Sequence, residues 1–548
     1  MQVIGETIRQ IVRDMGADVD VVMTRPEAQF GDWSCNVALQ LSKQLGRNPR
    51  DIAQEIADKL TTVSEVKTVT IAGPGFINIT LTDDSLFALV HHVSEPAAGD
   101  STIVIETNNP NPFKAMHIGH AMNAIVADTI ANLLEQGNHL YRVSYHGDVG
   151  LHVGRSMYSL LRFVNGDVKK LSEVPAYERN SFMSRMYAEG SRAYKEDEAA
   201  KAEIDELSRQ SFTRADPLYA SVYDTVFAWS FDEIATNVAR LGNKPVERKF
   251  LESDADLRGV KIVRDNVPRV FQESDGALIF KGSEHGSFDN VFVSKNGLGL
   301  YGARDIGLIQ LKNEQYHPDK SYIVTADEQR DYFKGILAAA GMIWPELDGQ
   351  TVNISTGMVK LTTGKMSSRS GDVIEIGWLF DQIGKAIHAR GGEVTEDIVA
   401  GALRYAFLRV RIGGDVVFDV NESVSIQGNS GPYVQYAHAR ACSILSKAEN
   451  QREEGRGKRE EGLQTDERLL LRKITEYADV VEKATKELMP HHICNYLYEL
   501  AQEFNRFYEK NHVIGDARQA IRLELVMFYR DTLARGLSLL GISAPEQM

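Results

Sequence analysis

The pattern of apolar and polar positions predicts an alternating strand–helix core that begins near residue 100. Thr102–Glu106 reads TIVIE, a short β-branched run typical of a buried parallel strand. A polar loop follows, then a helical pattern from about 118 to 136 that stops at Gly137, and then a strand pattern over 140–145. This strand–loop–helix–strand order is the repeating unit of a doubly wound, Rossmann-like parallel sheet.

The same alternation returns later and predicts the second half of this sheet. Its predicted elements are a helix around 306–313, a strand at 322–325, a helix around 329–340 and a strand at 352–359. Between the halves, about 154–246 is charge-rich and helical in pattern, as expected for an insertion. From about Asp397 onward every segment has a helical pattern, and the polar run 450–461 predicts a surface loop.

The first 98 residues predict a separate α+β unit. It begins with an amphipathic helix, and a Gly-Asp-Trp turn at 31–33 precedes two further helices, the second starting after Asn48 and Pro49. Two strands, predicted at 66–71 and 76–81, flank a Gly-Pro-Gly turn. A linker is predicted at 94–100.

Length and composition agree with several globular domains. The chain has 548 residues, more than one hydrophobic core normally supports, with 43% hydrophobic and 25% charged residues. We therefore expect a multidomain α/β protein. Its predicted parts are an N-terminal α+β domain at 1–98, a Rossmann-like parallel catalytic domain with the helical insertion at 99–375, and a C-terminal all-α helical bundle at 376–548.

Apolar runs, cysteine usage and net charge bear on whether the protein is a membrane, secreted or nucleic-acid-binding protein. No run of about 20 apolar residues occurs, and the first residues lack the basic flank and apolar block of a secretory signal, so we expect neither a membrane span nor a signal. Cys35, Cys442 and Cys494 are far apart and odd in number, which indicates thiols in a reducing cytoplasm. The net charge of −15 alone disfavours nucleic-acid binding, but a local basic face is compatible with RNA.

The main chemical candidate is His117-Ile118-Gly119-His120, between the first strand and the following helix. A helix N-terminus offers unpaired N–H groups to phosphate, and a glycine lets a nucleotide approach the backbone closely. The two imidazoles are able to donate to phosphate oxygens as charge builds on them. The alternative is a pair of surface histidines at a helix start.

A second candidate is the polar, basic loop at 364–371, which reads GKMSSRSG. A flexible loop with Lys and Arg can close over a triphosphate and stabilise the leaving pyrophosphate. Taken alone, the loop is better explained as a solvated surface turn.

The two elements together resemble the signature of class I aminoacyl-tRNA synthetases, whose HIGH and KMSKS motifs belong to the two halves of one nucleotide-binding fold. Longer stretches resemble the arginyl-tRNA synthetase family in particular. They are ETNNPNPFKAMHIGH at 106–120, YHGDVGLHVG at 145–154, DGALIF at 275–280, YGARDIG at 301–307 and GNSGPYVQYAHAR at 428–440. The stretches GDWSCNVALQLSKQLGRNPRDIA and GPGFINI also resemble that family's additional N-terminal domain, so the resemblance spans nearly the whole chain.

The resemblance implies an arginine-binding set whose chemistry suits a guanidinium, which prefers carboxylate or carbonyl partners. The set is Glu106, Asn108, Asn111, Asp148, Tyr301, Asp305 and Gln329. In the family, the residues matching Tyr301 and Asp305 hold the arginine side chain, and a Gln matching Gln329 assists in the amino-acid pocket. The residues matching 106 and 111 help bind the arginine and its ammonium end. The alternative for each is a capping or salt-bridging role, and for Asp305 the neighbouring Arg304 offers a competing ion pair.

The implied reaction activates L-arginine with ATP and then transfers it to tRNA(Arg). The arginine carboxylate is already an anion, so no general base is needed, and catalysis rests on positioning and charge stabilisation with Mg²⁺ on the phosphates. The candidate catalytic donors are Lys114, His117, His120, Lys365 and Arg369. The candidate ATP contacts are His117, Gly119, His120, Lys365, Met366 and Ser367. The resemblance also implies that tRNA binds before arginine is activated.

The sequence departs from the family's pattern at a few positions. The second lysine of KMSKS is absent, with Ser368 in its place. Many family members share this loss, and in them a lysine three positions before HIGH is thought to compensate; Lys114 occupies that position. Tyr332 stands where the family usually has His, and Val149 where it often has Trp, which bears on local packing and adenine contacts but not on the reaction class.

The last domain resembles the helical anticodon-binding domain of the same family. Aromatic and cationic groups suited to unpaired bases lie at Tyr433, Tyr436, His438 and Arg440. Some of these also fit an ordinary helix face, and Tyr436 and Arg440 are the predicted tRNA contacts. By resemblance, the N-terminal domain touches the tRNA elbow near the D-loop, with Asn36 and Asn78 as candidates.

Three other interpretations compete with this one: a class I synthetase for another amino acid such as cysteine or glutamate, a small-molecule adenylyltransferase, and a non-catalytic RNA-binding or regulatory paralogue. The arginine-type stretches disfavour a synthetase for another amino acid. An adenylyltransferase would have no need of the helical tail or the N-terminal module. A non-catalytic paralogue is disfavoured because the HIGH histidines and the arginine ligands are intact. We expect a cytoplasmic monomer without an obligate protein partner, membrane contact or tightly bound, protein-ligated metal. The small insertion predicts no editing site, because a hydrogen-bonding pocket discriminates well by itself.

Overall fold

A computed structural model describes residues 2–91, 99–362, 374–450 and 462–548. The basic loop predicted at 364–371 lies outside these ranges, as do most of the predicted linker at 94–100 and of the predicted surface loop at 450–461. Within the described ranges, no helix combines the length and the apolar character needed to cross a lipid bilayer.

The N-terminal α+β unit is confirmed. Its elements are α1 (Gln2–Asp14), β1 (Met23–Thr24), β2 (Trp33–Cys35), α2 (Val37–Leu45), α3 (Pro49–Leu60), β3 (Val66–Ala72), β4 (Phe76–Leu81) and α4 (Asp83–His91). The strands form one antiparallel sheet in the order β1-β2-β4-β3. Ile4, Ile8 and Ile11 recur on one face of α1 and are buried in its core. The sequence prediction missed β1 and β2, because strands this short carry no readable period, and it also missed α4.

The parallel α/β core and its helical insertion are confirmed, but the elements between the insertion and the helix Tyr301–Tyr316 were not predicted. The first half contains β5 (Thr102–Glu106), α5 (Ile118–Leu134) and β6 (His139–His146). The insertion contains α6 (Leu151–Val164), α7 (Lys169–Ser172), α8 (Arg179–Glu196), α9 (Glu198–Thr213) and α10 (Pro217–Arg240). The second half contains β7 (Arg248–Leu251), α11 (Glu252–Asp265), β8 (Gln272–Ser274), β9 (Ala277–Phe280), β10 (Asn290–Val293), α12 (Tyr301–Tyr316), β11 (Lys320–Ala326), α13 (Arg330–Ile343) and β12 (Thr351–Thr356).

The central sheet is parallel and doubly wound. Its order is β12-β11-β5-β6-β7, and every neighbouring pair of strands is parallel. The chain reverses its direction of winding at β5, which lies between β11 and β6. A crevice opens at such a reversal, outside the carboxyl ends of the strands, and it is the usual ligand site of this fold.

One predicted strand and one predicted helical region need correction. The strand predicted at 352–359 is two strands, β12 and β13 (Val359–Leu361), and β13 pairs in parallel with β14 (Val416–Phe418). The break falls at Gly357, where a Cβ atom would lie 2.1 Å from the carbonyl oxygen of Gly414. The prediction that everything after Asp397 is helical is therefore wrong at β14, which is too short to show a strand period.

The C-terminal region is a helical bundle against which the N-terminal unit packs. Its helices are α14 (Ile376–Ala389), α15 (Glu396–Leu408), α16 (Val420–Ser423), α17 (Gly431–Asn450), α18 (Thr465–Thr475), α19 (Tyr477–Glu487), α20 (His491–Lys510) and α21 (Gln519–Leu539). Arg468 of α18 donates to Asp32 at 2.6 Å and also to Asp83. Arg472 donates to the carbonyl oxygen of Gly31 at 3.3 Å. The predicted Gly-Asp-Trp turn is thus a docking point between two domains.

A buried arginine joins the parallel α/β core to this bundle. Arg404 of α15 is fully buried and forms an ion pair with Asp128 of α5 at 2.9 Å. Its guanidinium also donates to the carbonyl oxygens of Leu540 at 2.8 Å and Leu241 at 2.9 Å, and to the side chains of Thr129 and Asn243. All five of its N–H groups therefore have acceptors, and this cluster is called the Arg404 junction below.

Candidate active site

The crevice at the carboxyl end of β5 contains two of the predicted site residues, Glu106 and His120. A small cavity there is lined by Glu106, Thr107, Asn109, His120, Asn123, Ala124 and Val324. These residues come from β5, the loop after it, the first turns of α5 and the strand β11. The sheet reversal thus brings the HIGH element and the first predicted arginine ligand to one place.

Within the HIGH element, backbone contacts fix the protonation of both histidines. His117 caps α5, and its Nδ1 accepts the N–H groups of Gly119 at 3.2 Å and His120 at 3.4 Å. Nδ1 of His120 accepts the N–H of His117 in return, at 3.3 Å. Because both Nδ1 atoms are acceptors, each neutral ring carries its proton on Nε2. Each imidazole is therefore a neutral Nε2–H donor.

Burial and a nearby cation keep these rings neutral. Burial, assisted by the charge of Lys114, lowers the pKa of His117 to about 4. Burial, His117 and Lys114 lower the pKa of His120 well below its usual value. The two rings stack with centroids 3.6 Å apart, an arrangement that two imidazolium ions would oppose. The predicted donation to phosphate is therefore possible without a positive charge on either histidine.

Lys114 is held near the histidines by the helical insertion. The preceding residue, Phe113, has a left-handed backbone conformation with φ of 66° and a fully buried ring that packs on Tyr223. Its N–H donates to Ser230 at 3.0 Å, and its carbonyl oxygen accepts the hydroxyl of Ser156 at 2.8 Å. This unfavourable conformation persists because α6 and α10 hold it on both sides. The insertion therefore positions the loop that carries Lys114.

The KMSKS-like residues are not described, but the segment after them is. Lys365, Met366, Ser367 and Arg369 lie outside the described residues. Just beyond, Ile376 donates its N–H to the carbonyl oxygen of Met116 at 3.0 Å, and Ile118 donates to that of Ile374 at 2.9 Å. The chain that follows the basic loop thus pairs directly with the start of HIGH.

Asp305, the central predicted arginine ligand, has no cation partner among the described residues. Its sequence neighbour Arg304 pairs instead with Glu252 at 2.7 Å and Asp256 at 3.0 Å, so the competing ion pair does not form. The hydroxyl of Tyr332 donates to the Asp305 carboxylate. Burial, with smaller contributions from Glu252 and Glu106, raises the pKa of Asp305 to about 7.

Glu106 lines the crevice, and its charge acts on Asp305, but it is already paired. Its carboxylate accepts Nζ of Lys312 at 2.8 Å, and both side chains are buried. It also accepts the side-chain amide of Asn109 at 2.7 Å. Around Asp305, the carboxylates of Glu106, Glu252 and Asp256 thus share two cations, and Asp305 adds a fourth carboxylate. When all are ionised, this part of the crevice has an excess of negative charge.

The three remaining polar candidates near β5 and β6 bond to the protein. Asn111 accepts the N–H of Gly147 at 2.8 Å, and Asp148 accepts the N–H of Ser253 at 2.9 Å and its hydroxyl at 2.7 Å, at the start of α11. Burial raises the pKa of Asp148. Asn108 is buried between Thr107 and Asn243, which argues for a structural role rather than direct contact with arginine.

The other two arginine-site candidates, Tyr301 and Gln329, are exposed. Tyr301 begins α12, one turn before Asp305, and is 63% exposed. Gln329 is exposed in a tight turn between β11 and α13, close in sequence to Tyr332. Neither the Lys312–Glu106 pair nor the Tyr332–Asp305 bond was foreseen from the sequence, although Tyr332 was singled out as a departure.

The predicted tRNA contacts differ in accessibility. Tyr436 of α17 is 41% exposed, and Arg440 is half-buried, with its guanidinium 4.6 Å above the ring of Tyr508. Asn36 is exposed before α2. Asn78 is only 6% exposed within β4, and this burial argues against direct contact with RNA.

Comparisons with known protein families cover almost the whole chain. The model "Arginyl tRNA synthetase N terminal domain" matches residues 2–81, "tRNA synthetases class I (R), catalytic domain" matches 86–399, and "DALR anticodon binding domain" matches 434–548. The arginine–tRNA ligase of Thermobifida fusca is 30% identical over 97% of this chain and 96% of its own. The arginine–tRNA ligase of Mannheimia succiniciproducens is 27% identical over 100% of this chain and 99% of its own.

Solved structures agree at the level of the fold. The arginyl-tRNA synthetase of Thermus thermophilus superposes with a TM-score of 0.81 and 23% identity, covering 100% of both chains. The arginyl-tRNA synthetase of Plasmodium falciparum superposes with a TM-score of 0.77 and 20% identity, covering 100% of this chain and 99% of its own.

Proposed function

The chain belongs to the arginyl-tRNA synthetase family and attaches arginine to tRNA for translation, and from this premise we propose which residues perform each step. In the first step, the carboxylate of L-arginine attacks the α-phosphate of ATP in line with the departing pyrophosphate. Magnesium enters with ATP as part of the substrate. In the second step, the terminal ribose hydroxyl of tRNA(Arg) takes the arginyl group from the adenylate.

The HIGH element binds the triphosphate and stabilises its charge. Nε2–H groups of His117 and His120 donate to phosphate oxygens, and Gly119 lets the nucleotide approach the helix N-terminus. Lys114 adds the positive charge that the neutral imidazoles lack, and its anchoring through Phe113 supports the compensating role inferred from its position. We assign Lys365, Met366, Ser367 and Arg369 to the leaving pyrophosphate and ATP.

Asp305 binds the guanidinium of arginine. The observation that carries this assignment is a carboxylate in the crevice with no cation partner among the described residues, bordered by further carboxylates that are already paired. A guanidinium supplies the missing cation and donates in the planar geometry that a carboxylate accepts. Glu106, Asn111, Asp148, Tyr301 and Gln329 complete the arginine site in this proposal.

The outer domains bind the tRNA. Tyr436 and Arg440 contact the anticodon arm, because an exposed aromatic ring and a guanidinium suit unpaired bases. The N-terminal domain at 1–98, with Asn36 on its surface, contacts the elbow, whereas 99–375 carries the chemistry and 376–548 the anticodon site. We further propose that the protein is a cytoplasmic monomer.

ATP–pyrophosphate exchange tests the function. Exchange is measured with each of the twenty amino acids, with and without bulk tRNA. Exchange with arginine alone, and only when tRNA is added, is the expected result. Exchange with a different amino acid would overturn the arginine assignment, and an absence of exchange under every condition would favour a non-catalytic paralogue.

A further inference from the structure

A buried tyrosine hydroxyl next to the arginine crevice has no protein partner. The hydroxyl of Tyr145 on β6 is inaccessible to solvent and makes no hydrogen bond within the described part of the chain. Leaving a buried hydroxyl unpaired costs free energy, and native proteins rarely do so without a functional reason. This residue was part of a stretch that resembled the synthetase family, but no role was assigned to it.

The strand register places Tyr145 beside the predicted arginine ligands. Val143 of β6 is the register partner of Glu106 on β5, and Tyr145 follows it by two residues, so its side chain is on the same face of the sheet. That face is covered by α11 and α12: Tyr145 packs on a cluster that includes Ala255 and Leu308. Its ring therefore lies beneath the helices that begin with Glu252 and Tyr301.

The charges around the hydroxyl define the chemistry of a partner. Burial raises the pKa of Tyr145 well above its usual value, and Asp305, Glu252 and Glu106 add to this effect. The hydroxyl thus remains protonated and lies close to several carboxylates. A ligand group that reaches it must be compatible with this negative environment and must offer hydrogen-bond donors. A guanidinium meets both conditions, because it is a cation with five N–H donors and no acceptor.

We propose that the hydroxyl oxygen of Tyr145 accepts an N–H of the bound arginine guanidinium, next to the N–H groups that Asp305 accepts. Tyr145 is then a specificity residue of the arginine site, and this inference rests on the function proposed above. Arginine satisfies both acceptors at once, whereas an ammonium group, with its different shape and reach, leaves one of them unpaired.

The proposal predicts opposite effects on stability and on binding. Tyr145→Phe removes an unpaired buried hydroxyl, so the free protein should be as stable as the wild type or more stable. The same change removes an acceptor from bound arginine, so KM for arginine should rise roughly tenfold while KM for ATP changes little. A hydroxyl with a purely structural role would not separate the two quantities in this way.

Tyr529 offers a matched control. Its hydroxyl on α21, in the C-terminal helical bundle, is also buried and without a hydrogen-bond partner in the described residues, and its ring stacks on Phe504 with centroids 3.9 Å apart. Tyr529→Phe makes the same chemical change, so it should match Tyr145→Phe in thermal stability but leave KM for arginine at the wild-type value.

The measurements are tRNA-dependent ATP–pyrophosphate exchange with varied arginine or ATP, and thermal unfolding, on wild type and both variants. An unchanged KM for arginine in Tyr145→Phe would overturn the proposal. So would a loss of stability with unchanged KM, which would identify a hydroxyl that holds only a structural water. If the wild type shows exchange with arginine, these outcomes leave the proposed function intact; a wild type without it would overturn both.

Discussion

The Arg404 junction and the arginine crevice are both rich in charge, yet they satisfy it in opposite ways. At the junction, a fully buried guanidinium donates to five acceptors, which belong to α5, to Leu540 just after α21, and to Leu241 and Asn243. Beside the crevice, Asp305 forms no ion pair and the Tyr145 hydroxyl makes no hydrogen bond among the described residues.

The difference distinguishes charges that hold the protein together from charges that await a substrate. A fully paired buried network fixes the relative position of two domains, and breaking it leaves uncompensated charge in the interior. An unpaired group lowers the stability of the free protein, and the ligand that pairs it recovers that free energy on binding. Substitutions in the two regions should therefore have opposite signatures.

The largest effect is expected at the junction. Arg404→Met leaves the Asp128 carboxylate without its closest cation and leaves the carbonyl oxygens of Leu241 and Leu540 without this donor. The free energy of unfolding should fall by about 3–5 kcal/mol, measured by denaturant titration. Arg209→Met, which breaks an exposed pair with Glu206, is the control and should cost less than about 1 kcal/mol. An equal decrease in the free energy of unfolding in the two variants would show that the Arg404 junction contributes no more to stability than an exposed ion pair.

A smaller effect on free energy, but a selective one, is expected in the crevice. Asp305→Asn should raise KM for arginine at least about 100-fold, because the guanidinium loses its carboxylate, while KM for ATP stays nearly constant. The stability of the free protein should not decrease. The pKa of Asp305 is raised to about 7, so its ionised form destabilises the folded state, a cost that grows as pH rises from its usual value towards 7 and is complete above it.

Thermal unfolding of Asp305→Asn tests whether the ionised Asp305 carboxylate destabilises the folded state. At pH 8 the variant should be as stable as the wild type or more stable, and near pH 4 the two should differ little. A variant that is less stable at pH 8 would mean that Asp305 serves the fold rather than the substrate.

The smallest effect is expected at Tyr332, a positioning residue that acts through Asp305. Its hydroxyl bond lowers the pKa of Asp305 against the effect of burial, so Tyr332→Phe should raise that pKa further. At pH 7, KM for arginine should rise about 3- to 10-fold, and the difference should shrink at pH 9, where Asp305 is ionised in both proteins.

Tyr332→His tests the same bond with the residue that the family usually carries. It should recover part of the affinity for arginine at pH 7, because an imidazole can also donate to the carboxylate. A pH-independent loss in both variants would indicate a packing defect instead.

Much of the fold was predictable because its signals are local. The β-branched run at 102–106 and the helix that begins after His117 were recognised by period and composition, and the observed bounds differ by two residues or fewer at their ends. The HIGH histidines were found because motif and helix start coincide in sequence. The short strands β13 and β14 were missed, since three residues carry no period and each depends on a partner far along the chain.

The pairing within the site was not predictable because it depends on tertiary structure. The sequence offered Arg304 as the partner of Asp305, but the helical phase turns Arg304 towards α11, where Glu252 and Asp256 accept it. Lys312 pairs with Glu106 across more than 200 positions, and no local sequence pattern near either residue predicts this pair. Tyr145 became a candidate only once its hydroxyl was seen to be buried without a partner.

The most direct test of the account is the proton balance of arginine binding. In the free protein, burial raises the pKa of Asp305 to about 7, so part of the population is protonated near neutral pH, whereas the bound guanidinium requires the ionised form. Titration calorimetry of the tRNA-bound protein, in buffers of different ionisation enthalpy, should therefore show net proton release on arginine binding at pH 7, and less release at pH 9. Release that is absent at pH 7, or that persists unchanged in Asp305→Asn, would contradict the claim that an unpaired carboxylate awaits arginine in this crevice.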